Sequence, residues 1–344
     1  MNIKLQNYWR ATAAIMFLAL AGAGAAKADR LEDFYKGKSL QLIISSTPGG
    51  GYDALARAYA RYMGAYMPGS PAIIVRNMPG GGGITAGNWL YQTAPQDGTT
   101  FAAVHQGVAF QPLFGEKAAR YDATKFGWIG NANSEVGVFF VRAQSKMQTV
   151  QDLFKNEVFA AATDGGSTTA FTYRTLNGLI GTKIKIVTGY PGSNESFLAL
   201  EQGEVEGFFT VWSSVKARGS LYRDKQVRVL LQIAMEKTPE LPGVPLASEF
   251  VKSEADRLAL ELSVAPGKLG RPYIAPPNVP KDRLEALRKA FNEASRNKAF
   301  VGEIAKLGLE VHDPMNGADA QALIAKFYTT PPDIAAKVAA LTKE

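Results

Sequence analysis

The sequence predicts an α/β fold built as two similar halves. Short β-rich apolar runs alternate with helical patterns, and glycine-rich loops stand where a strand hands over to a helix, in each half of the chain. At 344 residues, 46% hydrophobic and 20% charged, the chain is long enough for one large or two medium domains with buried cores. The same composition excludes a disordered chain, because the net charge of +7 is small for this apolar content.

Residues 40–44 form the first β-rich run, followed by Ser45-Ser46-Thr47-Pro48-Gly49-Gly50-Gly51 and a helical stretch over 52–67. Leu55, Tyr59, Tyr62 and Tyr66 recur at helical spacing and mark its apolar face. Asp53 suits the positive end of the helix dipole, and Pro68-Gly69 ends the helix. The unit repeats as strand 72–76, loop Asn77-Met78-Pro79-Gly80-Gly81-Gly82-Gly83, helix 84–93, turn Gln96-Asp97-Gly98 and strand 100–104. Two such units in succession predict a parallel sheet.

A second group follows the Gly127-Trp128-Ile129-Gly130 region. It reads as strand 136–141, helix 150–155, strand 159–162, loop Thr163-Asp164-Gly165-Gly166-Ser167-Thr168 and helix 169–179. Strand 184–187, loop Thr188-Gly189-Tyr190-Pro191-Gly192-Ser193, a short helix to Gln202 and strands 205–210 and 228–233 complete it. Pro239, Pro242 and Pro245 mark a loop back. After Pro276-Pro277 and Pro280 the pattern is helical over 282–296, 299–307, 318–328 and 333–341.

The chain has no Cys, which excludes disulfides and thiolate metal sites, and only His105 and His312, which excludes a histidine cluster. Lys4 and Arg10 precede an apolar run over 11–26, and Ala26-Lys27-Ala28 offers small residues at both cleavage positions. This pattern predicts a signal peptide over 1–28, since the run is shorter than the roughly 20 apolar residues of a membrane span. Removing it leaves 35 basic and 31 acidic residues, a net +4 that gives no support to a nucleic-acid partner. Without Cys near the cleavage point there is no lipid anchor, so the expected compartment is the periplasm.

Chemistry is sought in the glycine loops. Helix N-termini leave backbone N–H groups unpaired at the positive end of the dipole, so an anion is held there without Lys or Arg. Each exposed dipole contact is worth roughly 0.3–1 kcal/mol, so several must converge on one ligand. Taken singly, such a loop is a tight turn; taken together, loops from two similar halves can surround one crevice. A P-loop is excluded, because Gly51-Tyr52-Asp53 and Gly83-Ile84-Thr85 lack the phosphate lysine. Gly81, Gly83 and Ala86 fit the loose dinucleotide spacing only within a run of glycines. Ser167 and Ser193 lack a nucleophile elbow, so no catalytic residue, metal or cofactor is expected.

Pro48-Gly49-Gly50-Gly51-Tyr52-Asp53, the Asn77-to-Gly83 loop, Gln96-Asp97-Gly98-Thr99, Gly189-Tyr190-Pro191-Gly192-Ser193 and Gly203-Glu204-Val205-Glu206 occur in that order. With Leu241-Pro242-Gly243-Val244-Pro245 and Glu249, this series resembles the successive motifs of the Bug/TctC family, extracytoplasmic receptors of tripartite tricarboxylate transporters. The resemblance implies a two-lobed periplasmic binding protein of the second structural type, with lobe 1 over 29–133 and 238–344 and lobe 2 over 134–237. It implies capture of an organic carboxylate by lobe closure, mainly through backbone N–H groups and hydroxyls, and delivery to the membrane permease by a monomeric receptor. A receptor that reports to a membrane sensor is the alternative, and a nucleotide-cofactor enzyme stands behind it.

Carried over by motif, first-lobe contacts are Thr47, Gly49, Gly50, Gly51, Tyr52, Asp53, His105 and Gln106. Second-lobe contacts are Asp164, Gly165, Gly166, Ser167, Thr168, Tyr190, Pro191, Gly192 and Ser193, with Trp212 at the end of an inward strand. Asp53 is expected to cap its helix rather than touch an anion, and Asp164 to bind a polar group or stay outside. Tyr52, Met78 and Pro191 depart from the family pattern in a way that removes cations and adds bulk. Tyr52, Tyr190, Phe209 and Trp212 either wall the site for an aromatic or long-chain acid or pack the lobe cores.

Overall fold

The computed structural model describes residues 31–341 except Gly50, Asp164, Gly166, Pro191, Gly219, Gly308 and His312. The predicted signal peptide lies outside the described residues, as do the candidate contacts Gly50, Asp164, Gly166 and Pro191. The strands are β1 (Ser39–Ile44), β2 (Ala72–Asn77), β3 (Thr100–Ala103), β4 (Gly127–Asn131), β5 (Gly137–Arg142), β6 (Val158–Ala161), β7 (Ile184–Val187), β8 (Gly207–Val211), β9 (Val227–Ile233), β10 (Pro272–Ala275) and β11 (Met315–Asn316).

They form two sheets, one ordered β2-β1-β3-β10-β4-β11 and the other β7-β6-β8-β5-β9. In the first, β1 runs parallel to β2 and β3, whereas β10 is antiparallel to both β3 and β4. In the second, β6 runs parallel to β7 and β8, whereas β5 is antiparallel to β8 and β9. The halves therefore repeat one plan of three parallel strands, one reversed strand and one more, to which the first sheet adds β11, antiparallel to β4. The strands of the two strand-glycine-helix units, β1, β2 and β3, are parallel as predicted, while each sheet as a whole is mixed. The reversed strand in each case is the first one after the chain has crossed from the other sheet: β5 follows β4, and β10 follows β9.

Burial explains why these residues pair as they do. β3 and β4 are buried throughout, as internal strands covered on both faces are, while β2 alternates exposed and half-buried residues at the sheet edge. The helix Gly51–Met63 buries Leu55, Ala56, Tyr59 and Met63 as one face. Tyr59 stacks on Phe291 at 4.7 Å between ring centres, and its hydroxyl pairs with Ser295 at 2.8 Å. Burying a side chain of this size contributes on the order of 1.5–3 kcal/mol, and the pairing spares the hydroxyl its desolvation penalty.

One long helix has no counterpart in the sequence pattern. The helix Glu254–Lys268 carries Pro266 in its last turn, where a proline costs one bond near the end rather than breaking the interior. Ser253 starts it by accepting from the Asp256 N–H. This helix packs on Pro332–Leu341 and on Thr168–Ile180, so it joins the two halves along the back of the molecule. A single buried cluster accordingly runs from Phe110 and Trp128 beside the first sheet to Phe139 and Tyr173 beside the second.

Candidate ligand-binding site

The loops that follow β1, β2 and β3 meet at one end of the first sheet. A Cβ added to Gly83 would lie 2.7 Å from Val108, 3.4 Å from the Ser45 hydroxyl and 3.5 Å from the His105 Cβ, so only glycine admits this approach, and its φ of +98° favours glycine too. The His105 N–H donates to the Ser45 Oγ at 2.9 Å. His105 also lies 4.3 Å from the Tyr52 ring. Burial pushes its imidazole below the ordinary value, with the Arg271 charge adding to the effect, so the ring is neutral at neutral pH.

Asp53 is consumed by the protein, as expected. Its carboxylate accepts from the Gly49 N–H at 2.9 Å, from Asn77 Nδ2 at 2.8 Å and from Arg57 Nε at 3.0 Å. Burial alone would raise its pKa, but these bonds outweigh it and hold the carboxyl below the ordinary range. Asp53 thus fixes the first glycine loop and leaves the loop's neighbours, exposed Thr47 and Gly49 and half-buried Gly51, to face outward.

Tyr52 is fixed just as firmly. Its hydroxyl donates to the Gly270 carbonyl at 2.7 Å, and the guanidinium of Arg271 lies over its ring at 3.9 Å. Burial raises the phenol, countered in part by Arg271, so the group stays a neutral donor. Tyr52 is therefore a platform for Arg271 and not a free aromatic wall. Gln106 follows His105 at the same edge, its N–H pointing to the Tyr52 hydroxyl at 3.4 Å.

In the second half, Ser167 caps the helix Thr168–Ile180 by accepting from the Ala170 N–H at 3.2 Å. Gly165 and Thr168 are exposed beside it. The Gly189 N–H donates to the Thr163 carbonyl at 3.0 Å, which ties the loop after β6 to the loop after β7. Gly192 precedes the helix Ser193–Gln202, with Ser193 exposed at its first turn. Tyr190 packs against the second sheet's smaller core cluster and places its hydroxyl 3.5 Å from Glu204.

Between the sheets lies a cleft of about 430 Å³, within the range of small-molecule sites. Of the predicted residues it is Trp212 that lines this space; of the glycine loops, Gly51 comes near it, a Cβ there lying 3.2 Å from the Arg271 guanidinium. Trp212 belongs largely to the core, 5% exposed, and its indole N–H donates to Glu240 at 2.9 Å. The aromatics thus divide: Tyr190 and Phe209 pack against core clusters, Tyr52 carries Arg271, and Trp212 packs while lining the cleft.

The cleft also contains residues that the sequence reading missed: Asn133 and Glu135 on the first crossing, Ser213 and Lys216 on the helix Trp212–Ala217, Glu240 on the second crossing, and Arg271 at the start of β10. Arg271 restores a cation where the motif pattern had suggested a loss. Among the described residues no hydrogen bond or ion pair is found for its guanidinium. Buried Asn131 sets its position, accepting from the Arg271 N–H at 2.8 Å while donating to the carbonyls of Asn133 and Lys268 at 2.6 and 2.9 Å. A lone Arg between Gly270 and Pro272 carries no periodic signal, so only the topology reveals which way it faces.

Two sheets of matching strand order, two chain crossings and a polar cleft between them define a bilobal protein of the periplasmic binding class. The description Tripartite tricarboxylate transporter family receptor, TctC, matches residues 56–333, and the chain belongs to that family of solute-binding receptors. A protein of Cupriavidus necator, named for the gbd 5' region, is 26% identical over 85% of this chain and 85% of its own length. One of Pseudomonas sp. strain P51, from the tcbD-tcbE intergenic region, is 24% identical over 83% and 81%. Among solved structures, a TctC solute-binding protein from Polaromonas shares the fold at TM-score 0.70, 18% identity, 89% of this chain and 98% of that one. MatC from Rhodopseudomonas palustris with bound malate does so at 0.58, 19%, 87% and 99%, and an R. palustris protein with adipate at 0.56, 20%, 88% and 98%. No helix among the described residues is long and apolar enough to cross a membrane.

Proposed function

We propose that the protein, exported by its signal peptide, captures a small organic carboxylate between lobe 1 (29–133 and 238–344) and lobe 2 (134–237). It then delivers the acid to the permease of a tripartite tricarboxylate transporter. The observation that carries this reading is Arg271: a guanidinium held over Tyr52 at 3.9 Å, in the cleft, with no carboxylate partner among the described residues. A planar cation with a fork of N–H donors matches a carboxylate, and its charge is spent on nothing else nearby. The helix start at Gly51, where a Cβ would lie 3.2 Å from the Arg271 guanidinium, adds N–H donors beside it, each worth roughly 0.3–1 kcal/mol. Malate and adipate, the acids in the two R. palustris structures, are of a size that a cleft of about 430 Å³ admits.

Thermal melting of the mature chain against mono-, di-, tri- and aromatic carboxylates tests the proposal. Ligand at 100 times its dissociation constant adds about 2.7 kcal/mol, enough for a clear upward shift. A panel in which no carboxylate raises the melting temperature removes the reading.

A further inference from the structure

The cleft is not a simple anion site. Its charged lining is Arg271 and Lys216 against Glu135, Glu240 and Glu310, a net −1. Lys216 is paired with Glu240 at 2.9 Å and with Glu310 at 3.8 Å, so it is already balanced by acids. A dicarboxylate placed on Arg271 would carry its second charge toward these acids. In a partly buried space such like-charge contact is costly.

A second observation points to what the acids face. Asn133 is 8% exposed and lines the cleft, and its side-chain Oδ1 has no donor among the described residues. Its backbone carbonyl is already used, accepting from Asn131 Nδ2 and from the Gly270 N–H at 3.0 Å. The neighbouring Ser134 Oγ is likewise buried and unpartnered. Glu135 lies close by: a Cβ added to Gly270 would sit 2.9 Å from both its Cγ and the Asn133 carbonyl. An acceptor buried without a donor carries a desolvation penalty that an N–H donor would remove.

Resting on the carboxylate reading, we infer that the ligand carries a cationic nitrogen as well as a carboxylate, the carboxylate on Arg271 and the nitrogen among Asn133, Glu135 and Glu240. A zwitterion adds no net charge to a cleft that is already at −1. It also matches both poles of the site.

Calorimetric titration of the mature protein with four five-carbon probes tests this: pentanoate, glutarate, norvaline and 5-aminopentanoate. At least one amino acid is expected to bind about tenfold or more tighter than glutarate and pentanoate. Glu135→Gln, which keeps an acceptor for the Ser213 hydroxyl, is expected to weaken the amino acid about tenfold while strengthening glutarate; Glu240→Gln provides a second variant if the first does not fold. A purely structural role would weaken both probes together. Glutarate or pentanoate binding as tightly as the amino acids overturns the inference and leaves the carboxylate reading standing. No binding by any of the four overturns the inference, and if no carboxylate of the thermal-melting panel binds either, the carboxylate reading falls with it.

Discussion

Replacing Arg271 by Gln removes a charge while keeping a planar donor of similar reach. In the protein without ligand the loss is small, because the guanidinium contributes a cation–π contact to Tyr52 at 3.9 Å, on the order of 0.5–1 kcal/mol at a half-exposed position. Its backbone anchors, the N–H to Asn131 and the Ala132 N–H to the Arg271 carbonyl at 3.0 Å, survive the substitution. The melting temperature should therefore fall by no more than a few degrees. With a carboxylate bound the loss is much larger. Two charge-assisted hydrogen bonds of about 1.5–3 kcal/mol each, less what Gln still supplies, put the cost at about 2–4 kcal/mol. That corresponds to a rise in dissociation constant of roughly 30- to 1,000-fold, read by calorimetry or by Trp212 fluorescence. Arg271→Lys should recover part of it, since the charge remains and the fork is lost. A change below about fivefold for Arg271→Gln, or an equal loss for an uncharged ligand, would refute the reasoning.

Asp53→Asn should loosen the first glycine loop and cost about 1–3 kcal/mol at neutral pH, measured by denaturant unfolding, because Gly49, Asn77 and Arg57 then face a neutral acceptor. Since the fold lowers this carboxyl, its contribution is complete above the unfolded value of about 3.9 and is lost as pH falls through the lower folded value, so the variant should show a shallower acid-side fall. Lys216→Ala removes ion pairs at half-exposed positions and should cost under about 1 kcal/mol in stability, yet it makes the cleft more negative. Glutarate should weaken more than 5-aminopentanoate, and the difference should shrink at high salt; equal weakening of the two would sink this account.

The parallel part of each sheet was legible because its strands are short apolar runs followed by glycine, a pattern carried by neighbours in sequence. The reversed strand of the first sheet was not. β10 is four residues beginning at a proline, and its partners β3 and β4 are more than 130 residues away in the chain. β4 was read as a glycine region because Gly127 and Gly130 mimic a turn. Their true role is contact: a Cβ on Gly127 would lie 2.9 Å from Leu284, and one on Gly130 would collide with the Phe291 ring, so the glycines admit the helix Lys281–Arg296. For the site, loop positions were legible and polarity was not. Helix starts can be counted along a sequence, whereas Arg271, Asn133 and Glu135 come together only through the two crossings, and no local pattern encodes that encounter.

The crossings also bear on how a closure would work. Asn131 holds both the first crossing and Arg271, the Gly270 N–H donates to the Asn133 carbonyl, and the Glu135 N–H donates to the Gly267 carbonyl at 2.8 Å. Arg271 is thus bonded to the segment about which the second sheet would turn, so on the proposed reading it would meet the ligand alike in open and closed forms. A group that binds both forms alike shifts no equilibrium between them, however tightly it holds. Moving a lobe equilibrium from 1:99 to 99:1 takes about 5.5 kcal/mol of differential affinity. That difference must come from groups carried by the second sheet: the helix starts at Ser167 and Gly192, and Ser213 and Lys216 beside Trp212. On the proposed reading Arg271 would set affinity for the first encounter, and second-sheet groups would set commitment to the closed form. Arg271→Gln should lower affinity without changing the closed fraction at saturating ligand, measured by small-angle scattering. Ser213→Ala should lower that fraction, and the reverse pattern would place the closing contact on the first sheet.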